Sequence, residues 1–126
     1  MRFLVMVKAT EQSEAGAEPS AEMLAEMGAF NETLIKDKMF VDAGGLQASS
    51  RGVRIRFARS KPAIEHGPFD RSKDLVSGFW LLQADSKEAL VERMSHAPFE
   101  DAEIEIRQLA EAEDLEPALI PEMREQ

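Results

Sequence analysis

Arg2 to Lys8 alternates, with Phe3, Val5 and Val7 on one side and Leu4 and Met6 on the other. This predicts an opening β-strand with both faces covered. Residues 9–18 are small and polar and read as a loop. Ser20 then offers a helix N-cap, with Glu22 in the first turn. Met23, Met27, Phe30 and Leu34 follow at helical spacing, widened by Leu24 and Ile35, so an amphipathic helix is expected. Lys36 and Lys38 suit its C-terminal dipole, and the methionines read as core filler. Gly44-Gly45 reads as a break.

Beyond the break, Val53, Ile55 and Phe57 alternate with Arg54 and Arg56, the pattern of a strand. Pro62 to Glu65 is expected to return as a short edge strand, where proline is tolerated. Val76 to Ala84 reads as a buried strand. Asp85 and Glu88 suggest a capping box for a second helix through Ala89, Leu90 and Met94, ended by Pro98. Glu103 to Arg107 alternates once more. The order β-α-β-β-α-β, with an extra hairpin arm before the third main strand, is that of an α+β, ferredoxin-like sandwich. Two helices cover one face of a four-stranded sheet. The other face is expected to carry Leu4, Met6, Arg54, Arg56 and part of the Val76–Ala84 strand, and to bury itself in a homodimer.

Composition narrows the function classes. The chain has 126 residues, 44% of them hydrophobic, which fits one domain with a real core. Without cysteine there are no disulfides or thiolate chemistry, in keeping with a cytoplasmic protein. No apolar run is long enough for a membrane span or a signal-peptide core. The net charge is −9, and residues 100–126 hold ten acids and two bases. An acidic tail from about residue 110 therefore closes the single expected domain of residues 1–126. A negative field opposes phosphate backbones, so nucleic-acid binding is disfavoured. No metal-ligand spacing, phosphate loop or dinucleotide fingerprint is present, so no cofactor is expected.

The densest chemistry lies in Glu65 to Trp80, around a Gly67-Pro68 turn. Gly67-Pro68-Phe69, Ser72-Lys73-Asp74-Leu75 and Gly78-Phe79-Trp80 together resemble the motif of the DGPF branch of the YCII-related (YciI-like) family. Met1 to Lys8, Gly44-Gly45-Leu46, Val53 to Phe57, and Ile104 to Arg107 with Ala112-Glu113-Asp114 extend the likeness. The resemblance implies a dimeric α+β barrel of the ferredoxin-like type. It also implies a small-molecule site, with acid–base chemistry by a His-Asp pair in some members and halide removal from a chlorinated hydroxyquinol in one type. Other members are associated with extracytoplasmic-function sigma factors, which gives the alternative of a non-catalytic interaction module. Two departures stand out. His66 occupies the position where the motif usually begins with aspartate, and residues 9–50 contain no histidine. The family's catalytic pair therefore does not transfer.

Within the chain itself, His66 and Asp70 flank the turn and are the candidate acid–base pair, His66 as the titrating group and Asp70 as its orienter. The competing reading of His66 is a solvent-exposed turn residue. Arg54 and Arg56 are candidate ligand contacts, suited to clamping a carboxylate or phosphate. They equally suit pairing with Glu103, Glu105 or another acid on a neighbouring strand or at a dimer seam. Phe69 and Trp80 are the candidate aromatic walls of a pocket for a small polar or aromatic metabolite. Trp80 also fits a core or dimer-interface position. His96 needs only the dipole of the second helix's end.

Overall fold

A computed structural model describes residues 1–59, 61–70 and 74–111. A four-stranded antiparallel sheet is built from β1 (Arg2–Lys8), β2 (Phe40–Gly45), β5 (Val76–Gln83) and β6 (Ile104–Gln108), in the spatial order β2-β5-β1-β6. Helices α2 (Ala21–Lys36) and α3 (Lys87–Met94) join the outer strands to the inner ones. The protein is thus α+β, with an order compatible with the ferredoxin-like split β-α-β arrangement. Strands β3 (Val53–Phe57) and β4 (Pro62–His66) pair only with each other, as a separate hairpin. A single-turn helix, α1 (Glu11–Glu14), and a short 3-10 turn at Ser49–Arg51 lie outside the sheet and the two longer helices.

Hydrophobic alternation decides which face of the sheet is covered. Phe3, Val5, Trp80 and Leu82 turn toward the helices and are buried with Leu34 of α2 and Leu90 and Met94 of α3. Each fully buried large side chain of this kind is worth about 1.5–3 kcal/mol relative to exposure. Register sets Leu4 beside Leu81 and Met6 beside Phe79 on the opposite face. All four are only half-buried there.

Three elements depart from the sequence pattern. The second sheet strand is Phe40–Gly45, not Val53–Phe57. Glycine does not break it because Gly44 and Gly45 pair with Phe79 and Gly78. A Cβ on Gly44 would come within 3.0 Å of the Phe79 ring, so the strand pair itself uses the missing side chain. Arg54 and Arg56 are consequently absent from the uncovered sheet face. Residues 11–14 are helical where a loop is expected, because Thr10 and Ser13 exchange backbone-to-side-chain hydrogen bonds of 2.8 and 3.1 Å across the turn. In α2, Leu24 and Ile35 lie outside the core stripe, 58% and 56% exposed. The acidic tail beyond residue 111 lies outside the described residues.

Ser20 caps α2 as expected, its Oγ accepting from Met23 N at 3.0 Å. The cap of α3 is Ser86 rather than Asp85: Ser86 Oγ accepts from Ala89 N at 3.1 Å. Ser86→Ala is therefore expected to lower stability by about 1 kcal/mol, and Asp85→Ala by much less. Urea unfolding of the two variants side by side decides the point; equal losses would return the cap to Asp85.

Ion pairs tie β6 and the segment after it to β1. Arg2 holds Glu111 through two hydrogen bonds of 3.0 and 3.2 Å. Lys8 Nζ lies 3.1 Å from Glu105, which also meets Arg107 at 3.3 Å. The hydrogen bond from Arg2 holds the Glu111 carboxyl below its usual range. Lys8 first, then Arg107, does the same for Glu105. A lowered folded-state value means that protons prefer the unfolded chain. The stabilisation is therefore present above about pH 4.5 and is lost as pH falls through the folded values. In Glu105→Gln/Glu111→Gln the urea midpoint should fall less steeply with acidification than in the parent. An unchanged acid slope would remove these pairs from the acid-sensitive set.

Candidate functional site

A cleft of about 390 Å³ opens between α2 and the sheet, at the end where β2 and β5 run together. That size lies within the range of small-molecule sites. Met27 and Leu24 come from α2, Trp80 from β5, and Phe99 from the segment after α3. The floor is nearly bare backbone. Gly45 and Gly78 lie opposite each other and share the helix side with Ala43 and Trp80. A Cβ on Gly45 would meet nothing within 4 Å, whereas one on Gly78 would press on Gly44 O at 3.1 Å. The missing side chain at Gly45 thus leaves open space on this side, and the close approach at Gly78 keeps the floor flat.

Trp80 is the anchor of the cleft. It is 4% exposed and meets Phe30 and Phe99 edge to face, with ring centroids 6.3 and 6.0 Å away. Its indole N–H donates to Asn31 Oδ1 at 2.8 Å. That bond fixes which end of the Asn31 amide is oxygen, because an indole can only donate. Asn31 Nδ2 makes no hydrogen bond among the described residues and is available as a donor. Ser77 Oγ lies 3.3 Å from Val7 O and donates to it, leaving its lone pairs to accept. Among the described residues, no charged side chain lines the cleft. Asn31 and Ser77 carry no signature that separates them from ordinary helix and strand positions, so only the fold reveals them as site residues.

Trp80 is the one sequence candidate that lines this cleft. The others gather around the hairpin foot. Phe69 is half-buried, and its N–H donates to Ser49 Oγ at 3.0 Å. Ser49 in turn donates from N and Oγ to the Glu14 carboxylate, the first at 2.9 Å. Gly67, joined to Pro68 by a cis peptide bond, donates to Gly52 O at 3.0 Å. The Arg54 guanidinium sits over the Phe69 ring at 4.0 Å, a cation–π contact. Arg56 reaches Glu65 on the adjacent strand at 3.9 Å, both side chains largely exposed. His66 pairs across from Val53, and both it and Asp70 are exposed. No hydrogen bond or ion pair joins His66 to Asp70. Arg71, Ser72 and Lys73 of the motif lie outside the described residues.

A larger hollow of about 510 Å³ at another part of the surface is lined by Asp37, Lys38, Asp85 and Arg93 among others. Its charges are of both signs, and Arg93 is paired with Asp37. Its apolar lining is Met1, Met39, Ala84 and Ala89, with no aromatic wall of the kind Trp80 gives the cleft. Among the described residues, no cluster of three or more His, Asp or Glu side chains is placed to hold a metal ion, and no helix is long and apolar enough to cross a membrane.

The antiparallel sheet with helices on one face defines an α+β domain, and the family follows from comparison with known proteins. The chain belongs to the YCII-related domain family, whose model matches residues 1–113. Among solved structures it is similar to 5-chloro-2-hydroxyhydroquinone dehydrochlorinase from Burkholderia phenoliruptrix AC1100, determined in complex with 2,5-dihydroxybenzoquinone. The similarity covers 83% of this chain and 91% of that one, at 17% identity and a TM-score of 0.44. No match is found among curated proteins.

Proposed function

We propose that this protein binds a small, uncharged aromatic metabolite in the cleft beside Trp80. The observation that carries the reading is the lining: aromatic and aliphatic walls, a flat glycine floor, one amide donor and one hydroxyl acceptor, and no charge among the described residues. A carboxylate or phosphate would lose its hydration there without a cation to replace it. A planar ring can lie over the bare backbone at Gly45 and Gly78 and meet the Trp80 edge. Because the described lining holds no titratable side chain, it supports binding more directly than acid–base turnover. His66 and Asp70, as an acid–base pair, would serve a ligand that reaches the hairpin foot. The Gly67-Pro68-Phe69 loop and the Gly78-Phe79-Trp80 strand support membership of the DGPF branch.

Trp80 is the only tryptophan, so its emission reports on the cleft alone. Phenol and 2-naphthol are expected to quench it saturably, and benzoate is not. Gly45→Leu fills the cleft from its floor and should abolish the quenching while the far-ultraviolet circular dichroism stays unchanged. Equal quenching by benzoate, or full quenching in Gly45→Leu, would reject the site.

We also propose that the protein is a homodimer through the uncovered sheet face, closing the two sheets into an α+β barrel. The support is the half-buried row of Leu4, Met6, Phe79 and Leu81 at its centre. Leu81→Glu should halve the mass seen by light scattering.

A further inference from the structure

We propose that Trp80 makes Asn31 an obligate hydrogen-bond donor, so that the cleft selects aromatic ligands carrying an acceptor at one end. Aryl ketones, aldehydes and ethers belong to that class, and phenols join it through their oxygen. This rests on the reading of the cleft as a site for a small uncharged aromatic molecule, and adds which such molecules fit and which way round they lie.

Three side chains of the lining carry a donor: Asn31, Ser77 and Trp80. Ser77 gives its proton to Val7 O, and Trp80 gives its own to Asn31 Oδ1. Among the described residues, Asn31 Nδ2 is therefore the side-chain donor left for a ligand. An unrestrained asparagine offers either end of its amide, because a half-turn exchanges oxygen and nitrogen. Here the half-turn would set Nδ2 against the indole N–H, donor against donor. It would also strip an indole that is only 4% exposed of its acceptor, which is costly. Trp80 is thus a positioning residue, acting on the ligand's polar end through Asn31.

The helix gives the ligand its direction. Leu24, Met27, Asn31 and Leu34 follow one another along one stripe of α2. Burial rises along the stripe: Leu24 is 58% exposed, Met27 and Asn31 are half-buried, and Leu34 is fully buried. Leu24 therefore marks the mouth of the cleft and Asn31 its inner end, about 10 Å apart along the helix axis. That span suits one substituted ring, its acceptor inward at Asn31 and its apolar end under Leu24. Ser77 Oγ can receive a proton from a ligand that only donates, but such a ligand leaves Nδ2 unpaired.

Acetophenone, which only accepts, and N-methylaniline, a ring of similar size that donates, form the test pair. Their dissociation constants are measured by calorimetric titration, with far-ultraviolet circular dichroism as the folding control. Asn31 is the only asparagine, so isotope-labelled asparagine gives a single side-chain amide signal in nuclear magnetic resonance. The parent protein should bind acetophenone about fivefold or more tightly than N-methylaniline, because the second ligand leaves a donor unpaired. The Asn31 amide signal should shift as acetophenone is added. Asn31→Asp keeps an oxygen for the indole and removes the donor, so the preference should reverse. Trp80→Phe frees the amide to turn, and the preference should fall below about twofold even as both affinities drop. Equal affinities in the parent overturn the selection and leave the cleft standing. A preference that survives unchanged in Asn31→Asp overturns the donor role, and one that survives unchanged in Trp80→Phe overturns the part given to the indole. If neither ligand binds the parent saturably, the reading of the cleft falls and this inference with it.

Discussion

Trp80→Ala is expected to lower the unfolding free energy by about 4 kcal/mol. The indole is 4% exposed and fills the junction of β5, α2 and the segment carrying Phe99. Its removal forfeits two edge-to-face contacts and leaves a void that the surrounding strands can only partly close. A domain of this size has about 5–15 kcal/mol in total, so between about a quarter and four-fifths of it would disappear. Urea unfolding followed by circular dichroism measures it, since the variant has no tryptophan emission. Trp80→Phe should recover most of the loss, because a ring still meets Phe30 and Phe99. The deficit that remains belongs partly to the bond with Asn31. Asn31→Leu should cost about 1–3 kcal/mol by leaving the indole N–H without its acceptor. A Trp80→Ala loss below about 1 kcal/mol would mean that the indole is not part of the packed core.

The contrast between Trp80 and Arg54 explains how much the sequence discloses. Alternation is a local signal, so β1, β5 and β6 are legible from their own residues, as are α2 and its Ser20 cap. Which strand joins which sheet is a non-local fact. Val53–Phe57 has a cleaner alternation than Phe40–Gly45, yet it stands apart, and the glycine-bearing segment enters the sheet. The reason is visible only in register: Phe79 occupies the space that a side chain at Gly44 would need. With β3 removed from the sheet, the candidate site divides. Trp80 goes to the cleft, while Arg54, Arg56, His66, Phe69 and Asp70 stay with the hairpin and its foot. The motif clusters in sequence because it crosses from one to the other. Arg56 does meet an acid on a neighbouring strand, but that acid is Glu65, while Glu105 is held by Lys8 and Arg107.

Gly67→Ala should cost the protein about 3 kcal/mol, or roughly 10 °C in melting temperature. The cause is contact with backbone rather than with a side chain that can swing away. A Cβ on Gly67 would lie 1.7 Å from the Ser49 carbonyl oxygen and 2.7 Å from its carbon. Ser49 cannot retreat without loss, because it links Phe69 to the Glu14 carboxylate. Moving it would break the hydrogen bond that seats Phe69 and, with it, the stack beneath Arg54. The first glycine of the motif is therefore a packing requirement of the hairpin foot. By the same geometry Gly16, whose Cβ would meet nothing but whose φ is +83°, should lose only the smaller cost of a left-handed alanine, about 1–2 kcal/mol. Thermal unfolding of Gly67→Ala beside Gly16→Ala separates the two causes. If Gly16→Ala proved the more damaging, steric contact with Ser49 would not be what fixes glycine at residue 67. If Gly67→Ala loses stability as expected, Ser49→Ala should recover none of it. The atoms in collision are those of the Ser49 backbone, and the serine hydroxyl contributes only the bonds to Glu14 and Phe69.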